Sequence, residues 1–440
     1  MFLSFIFTGI ISARLVYYYN KTTELYLCAE RNPVSMKNTW NILIVHNKYQ
    51  FAGGEDTVVE QDSRLLQKYG HNVIHYYRNN NELHSMNIFQ KLCIPFTTLF
   101  SFRAYRDIKK LIKEHNIDIV HVHNTLPLIS YSAYYAAKKS GCCLVQTIHN
   151  FRLICPNALL FRKGQICQNC LDKGLFSSVR HGCYRNSKIQ TLTVAFSLKL
   201  HRLLHTFHMP DAYITMTEFN KQMLSSIIPA NKFFFKANYL EKENLPDITA
   251  DLPEKPYFVY ASRVETVKGI FVVLESFKEL KDEHIVIIGN GPEDEQVAAY
   301  IAEHHMTNVT LAGFQPHEKT VAYLQHAKAT IFPSLLYEGG FPLTIIESFS
   351  VSTPVIVSDS PNISSNIKEG LSGFLFETGS SASLIEKIKE FNTLAENNEK
   401  LAALKSNAYH SYEETYTQEC VYKRMHSIYE TAQKNTQGVI

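Results

Sequence analysis

Long apolar runs are what this sequence lacks. Its 440 residues are 45% hydrophobic, ordinary for a globular chain and too little for a protein of several membrane spans. Residues 1–19 (MFLSFIFTGIISARLVYYY) come nearest to a span. They are marginal in length, Arg14 interrupts them, and no small-residue cleavage site follows. Residues 1–36 are therefore expected to be a non-core extension, either upstream sequence from a misassigned start ahead of Met36 or an anchor. An even set of cysteines is also missing. Nine cysteines without a secretory signal point to a reducing compartment, hence to the cytoplasm. No stacking-aromatic or helix-turn-helix pattern is present, which argues against nucleic acid as a partner. Acidic side chains are absent from residues 173–210, which carry Lys173, Arg180, Arg185, Lys188, Lys199 and Arg202.

The near-neutral net charge of +3 hides a split. Residues 37–240 hold 25 Lys and Arg against 11 Asp and Glu, net +14; residues 241–440 hold 16 against 28, net −12. The basic half suits an anionic membrane surface, or the two halves attract each other across a cleft. Basic residues at helical spacing (Arg103, Arg106, Lys109, Lys110, Lys113) and the 173–210 stretch fit peripheral contact at the inner face of the plasma membrane.

What is present is a strand–helix rhythm, given twice. "NILIVH" (41–46) reads as a buried parallel strand, followed by a loop with Gly53 and Gly54 and a helix over 57–69 with Asp56 as N-cap. "NVIHYY", "IDIVHVH" and "CLVQTIH" continue the pattern. A proline- and acid-rich stretch, 242–256, reads as a linker, after which "YFVYAS", "HIVIIG", "NVTLAGF", "TIFPS" and "PVIVS" alternate with helices. The fold class is α/β: two Rossmann-like doubly wound domains in series, 37–241 and 257–404. A final long helix within 405–440 is expected to pack back. Ligands of such sheets bind outside the carboxyl ends of the strands.

The candidate residues follow those strand ends. Gly53 and Gly54 open a turn at a helix start, and His149 ends a strand. Arg263 and Lys268, in "SRVETVKG", bring two cations to a helix N-terminus, a setting for a diphosphate. Gly289 begins "GNGPE". Glu338 and Glu347 lie in an apolar stretch, and carboxylates there need polar partners such as sugar hydroxyls. The backbone from Gly340 through Phe341 and Pro342 to Leu343 can hold phosphate or sugar. Cys155, Cys167, Cys170 and Cys183 contain one C-x2-C with long flanking loops, spacing that suits a structural zinc site.

In this order, the Gly-Gly loop, "TIHN", "SRVETVKG", "IIGNGPE" and "PSLLYEGGFPLTIIESFSVSTPVIVSD" resemble retaining glycosyltransferases of family 4, the group 1 transferases with the GT-B fold. The resemblance runs from about Asn41 to the C-terminal helix. It implies a nucleotide-sugar donor (UDP- or GDP-sugar) in the second domain, a saccharide or lipid-linked acceptor, transfer with retention, and no catalytic metal. Polysaccharide synthesis at a bacterial surface is the implied setting. Carried over, Arg263 and Lys268 would neutralise the diphosphate, Glu338 would contact the donor sugar and Glu347 the ribose. His149 would stand at the transfer site and the Gly53-Gly54 loop would face the phosphates. One departure stands out: the family's two glutamates are separated by seven residues, whereas eight stand between Glu338 and Glu347 here. A glycine of Gly339-Gly340 is the extra residue. A nucleotide-sugar 2-epimerase or a non-catalytic partner subunit are the alternatives on the same fold.

Overall fold

The computed structural model describes residues 39–50, 53–240, 252–436 and 438. The expected extension 1–36 and most of the expected linker lie outside them.

The first half contributes β1 (Asn41–Lys48), β2 (Asn72–Asn79), β3 (Ile119–Val122), β4 (Cys143–Thr147), β5 (Phe161–Arg162), β6 (Gln165–Ile166), β7 (Ala212–Thr215) and β8 (Phe233–Phe235). Six of them form one sheet in the order β2-β1-β3-β4-β7-β8, every pairing parallel, while β5 and β6 make a separate antiparallel hairpin. The second half contributes β9 (Tyr257–Ala261), β10 (His284–Ile288), β11 (Val309–Gly313), β12 (Thr330–Phe332), β13 (Val355–Ser358) and β14 (Gly373–Phe376). These form a second parallel sheet, β11-β10-β9-β12-β13-β14. Both central strands are apolar without alternation because helices cover both faces: Ile42 to Val45 of β1 and Tyr257 to Val259 of β9 are all buried.

Two expectations need correction. The first helix is Gly54–Lys68 and Gly53 caps it. Asp56 stands inside the first turn, where its carboxylate accepts from the Gly53 N–H at 3.1 Å and sits 2.9 Å from His46 Nε2. This is the half of a capping box that the third residue of the helix supplies, accepting from the N–H of the cap residue. The second correction concerns the end of the chain, which is two helices, Asn398–Thr415 and Gln418–Thr436. Thr417 caps the second of them, its hydroxyl accepting from the Cys420 N–H at 3.4 Å. Leu240 holds the joint from outside: its N–H donates to the Tyr416 carbonyl at 3.2 Å, it bridges to Thr417, and its own carbonyl accepts from the Tyr412 hydroxyl at 3.1 Å.

The first of these helices packs on the helix Leu343–Ser350 of the second half; the other crosses to β4, β7 and the Gly54–Lys68 helix. There Tyr422 stacks on Tyr69 with centroids 3.6 Å apart and meets His71 Nε2 at 2.8 Å, while the Tyr429 hydroxyl meets His121 Nδ1 at 2.8 Å. One apolar core consequently runs from Ile42, Ile44 and Val145 through Tyr422 and Tyr429 to Phe341, Ile345 and Phe349. The two halves share it.

Candidate active site

In each sheet the strand order reverses beside the first strand, between β1 and β3 and between β9 and β12. Loops leaving neighbouring strands there diverge and leave a crevice. The two crevices face each other. A cleft of about 400 Å³ lies between them, walled by Gly54, Glu55, Val58, His149, Met216 and Asn238 of the first half and by Ser262, Lys268, Phe332 and Glu338 to Thr344 of the second.

The loop after β9 and the loop after β12 are pressed together. Gly269 has φ +79°, and a side chain there would overlap the Pro333 carbonyl, so only glycine lets the two backbones approach. The contact carries Lys268 onto Glu338, 70 residues away, with Nζ at 2.7 and 2.9 Å from the two carboxylate oxygens. Ser334 Oγ donates to the same carboxylate at 2.6 Å, and the Asn362 side-chain amide donates to the Glu338 carbonyl. Lys268 and Glu338 remain 23% and 15% exposed, so the pair is open to a ligand from the cleft. Behind it the helix Leu343–Ser350 presents its N-terminal end, with Leu343 and Thr344 on the wall; such an end carries partial positive charge.

Opposite stands His149. Its Nε2 is 2.8 Å from His123 Nδ1 and the rings stack at 5.1 Å. Burial holds both well below the ordinary imidazole range, and each feels His46, His121 and Lys236 as further positive neighbours. They are thus neutral at physiological pH. Glu55 faces the same space, its carboxylate accepting from the Tyr49 hydroxyl at 2.8 Å and from Asn150 Nδ2 at 3.2 Å. Burial, against the pull of His46, raises its pKa above the usual glutamate range.

Gly54, His149, Lys268, Glu338, Gly340, Phe341, Pro342 and Leu343 meet on the cleft wall. Four other expected residues do not line it. Gly53 is exposed at the helix cap, and Gly289 (φ +124°) lies tight against the Ser262 carbonyl. Arg263 extends outward, 60% exposed, with Glu265 at 3.3 Å. Glu347 meets His317 Nε2 at 3.1 Å. The sequence reading also missed Glu55 and Ser334. "GGED" offered a signal for Glu55, two acids where a helix start needs only one.

The extra glycine has a physical reason. A methyl group on Gly339 would overlap the His149 carbonyl, and one on Gly340 would overlap the Met216 side chain. Asn220 Nδ2 donates to the Gly339 carbonyl at 2.5 Å and Asn238 Nδ2 to that of Phe341 at 3.1 Å. The inserted residue sits where the halves touch: at 339 the His149 backbone leaves room for glycine alone, and at 340 a side chain would have to displace the Met216 sulfur.

The four cysteines of the insert are free thiols. Cys155 and Cys170 are buried and hydrogen-bond to each other, which draws the Cys155 thiol down to about 6 and pushes Cys170 far up. Cys183 is close enough to feel Cys155 and Cys167. Among the described residues, no group of three or more His, Cys, Asp or Glu side chains is arranged to hold a metal ion. The expected zinc tetrahedron is therefore not preformed.

Two facing Rossmann-like domains with a polar, cation-bearing cleft between them define a GT-B glycosyltransferase fold. Residues 241–411 match the family model described as "Glycosyl transferases group 1", and residues 52–233 match "Glycosyltransferase Family 4". The two matches together span most of the chain, which belongs to the family 4, group 1 glycosyltransferases. Among relatives, the amylovoran biosynthesis glycosyltransferase AmsK of Erwinia amylovora is 28% identical over 166 residues, 36% of this chain and 41% of that protein. The putative colanic acid biosynthesis glycosyltransferase WcaL of Salmonella typhimurium is 22% identical over 39% of this chain and 44% of its own length. These matches thus span less than half of either relative. The alpha-monoglucosyldiacylglycerol synthase of Streptococcus pneumoniae is 23% identical over 74% of this chain and 72% of its own. A crystallised glycosyltransferase from Rickettsia africae superposes with TM-score 0.67 at 18% identity, covering 90% of this chain and 100% of its own. Anabaena HepE, solved with UDP, superposes at 0.61 with 14% identity, covering 88% and 98%.

Proposed function

We propose that this protein transfers a sugar from a nucleotide-sugar held by the second half to a saccharide or lipid-linked acceptor held by the first, with retention of configuration, in surface polysaccharide synthesis. The Lys268–Glu338 pair, set in the cleft opposite His149, is the observation that carries this reading. A donor diphosphate would take Lys268 from Glu338, with the Leu343–Ser350 helix end and Arg263 supplying further positive charge. Glu338, released from its cation, would accept hydrogen bonds from the sugar hydroxyls. Glu347, freed from His317, would meet the ribose. Neutral His149 would donate to or accept from the transferred sugar without adding charge. The acceptor oxygen would replace the diphosphate oxygen at the anomeric carbon on the same face.

Relatives acting in amylovoran and colanic acid synthesis, and the UDP bound to a structural neighbour, support a nucleoside diphosphate donor and a glycan product. The decisive experiment offers UDP- and GDP-sugars with and without acceptor and follows free nucleoside diphosphate. Release only with acceptor, and a product whose anomeric proton coupling matches the donor's, is the expected result. Interconversion of the donor without acceptor would mean an epimerase, and no turnover with any pair a partner subunit. For the cysteine insert the proposal is a structural zinc that draws Cys155, Cys167, Cys170 and Cys183 together on binding.

A further inference from the structure

Two helices of the first half put their apolar side chains outward. The helix Ile88–Leu99 (IFQKLCIPFTTL) is apolar at eight of its twelve positions, yet only Thr98 is buried; Ile88, Phe89, Leu92 and Phe96 are 64 to 76% exposed. It lies on the helix Lys188–Leu203, where Ser197 Oγ donates to the Thr98 carbonyl at 3.2 Å and His201 Nε2 meets the Leu99 carbonyl at 3.0 Å. That second helix is apolar on two faces. Val194, Ala195 and Leu198 enter the core, while Ile189, Leu192, Phe196 and Leu203 line the solvent side with Lys199 among them, at steps of three and four. Phe102, 68% exposed, extends the patch.

A soluble monomer rarely leaves so many large side chains bare in one place. Charge narrows the occupant. Residues 83–106 contain no Asp or Glu, and neither do residues 173–210, so both helices that meet here come from acid-free stretches. No carboxylate pairs with Lys91, Lys188 or Lys199 among the described residues. Apolar side chains ringed by unopposed lysines fit anionic lipid, with the rings in the acyl boundary and the ammonium groups at the headgroups. A protein surface would have to supply both an apolar groove and a ring of acids. Neither helix can cross a bilayer: among the described residues none is long and apolar enough. They would lie on it.

We infer that the outer faces of Ile88–Leu99 and Lys188–Leu203 form a docking platform for an anionic bilayer. The platform is fastened to the cleft, because Arg202 of the second helix donates to the Leu153 carbonyl at 2.8 Å and Leu153 lines a small cavity shared with His149. An acceptor carried by the same lipid would then arrive on the first half's side of the cleft.

Vesicle sedimentation of the full chain tests this, using phosphatidylcholine with and without phosphatidylglycerol. The full chain should partition onto the phosphatidylglycerol vesicles. Phe89→Ser with Phe96→Ser, and separately Ile189→Ser with Phe196→Ser, should each weaken partitioning by about tenfold or more with an unchanged melting temperature. Lys91→Gln with Lys188→Gln and Lys199→Gln should remove most of its salt dependence. Undiminished binding in all three variants would assign the anchor to another segment and overturn the platform. So would a chain that stays in the supernatant throughout, or one that dimerises through this face without lipid. Donor-dependent chemistry plays no part in the readout, so a failure here leaves the transferase reading standing.

Discussion

Glu338 is the residue whose removal separates ligand service from folding. Glu338→Gln keeps the shape and the Ser334 contact but lets go of the cation. Transfer should fall by at least about a hundredfold, the loss of a charge-assisted contact or two at 1.5–3 kcal/mol each, while the melting temperature stays within a few degrees. Full turnover in the variant would mean that the extra glycine has moved the acidic role elsewhere. Lys268→Ala and Arg263→Ala divide the diphosphate between them. Because Lys268 already stands in the cleft and Arg263 points out to Glu265, Lys268→Ala should cost more nucleoside diphosphate affinity, about tenfold to a hundredfold by calorimetry, and Arg263→Ala less. Equal affinity in both variants and the parent would remove the two cations from the donor site.

At the scale of elements, the strand ends of β3 and β4 carry a test in pH. His121, His123 and His149 are held below their ordinary range by burial, His121 down to about 3. The unfolded chain therefore takes up more protons than the folded one below about pH 6.5. Stability from these groups is fully present above that value and is lost as pH falls; at pH 5.5 the loss is on the order of 1 kcal/mol for each histidine. Urea unfolding at pH 7.5 and 5.5 should differ accordingly, and the difference should shrink in His121→Asn. An unchanged midpoint would mean the ring cluster opens to water. The cysteine insert is a second element with its own measurement: purified protein should carry about one zinc ion per chain, and Cys167→Ser should lower both metal content and folding yield. A metal-free protein of normal stability leaves four ordinary thiols. The elements themselves were largely legible. Apolar runs marked the central strands, and the stretches between them the helices. The break at Tyr416 has only a lone Thr417 cap as its local mark, and Leu240, which holds it, is far away in the chain. The Lys268–Glu338 pair was not legible, since it depends on two loops touching through Gly269. Helix Ile88–Leu99 escaped for the opposite reason: its pattern says core, and the fold leaves it outside.

For the whole molecule, the crossing of the last helix reaches beyond architecture into the order of synthesis. Trp40 precedes β1, Tyr69 and His71 follow the first helix, and His121 lies in β3, yet the rings that cover them, Tyr422, His426 and Tyr429, are made about three hundred residues or more later. A ribosome delivers residues at about 5–20 per second, so the first half waits tens of seconds with that face bare. A chain ending at residue 416 should keep both sheets' sequences and still be recovered mostly in the pellet, whereas supplying 417–440 as a separate peptide during refolding should return it to solution. A soluble, cooperatively melting truncation would show that the first half finishes on its own. If it does not, the nascent chain needs a holdase until the helix Gln418–Thr436 emerges, and its yield in a cell is set by how soon it does.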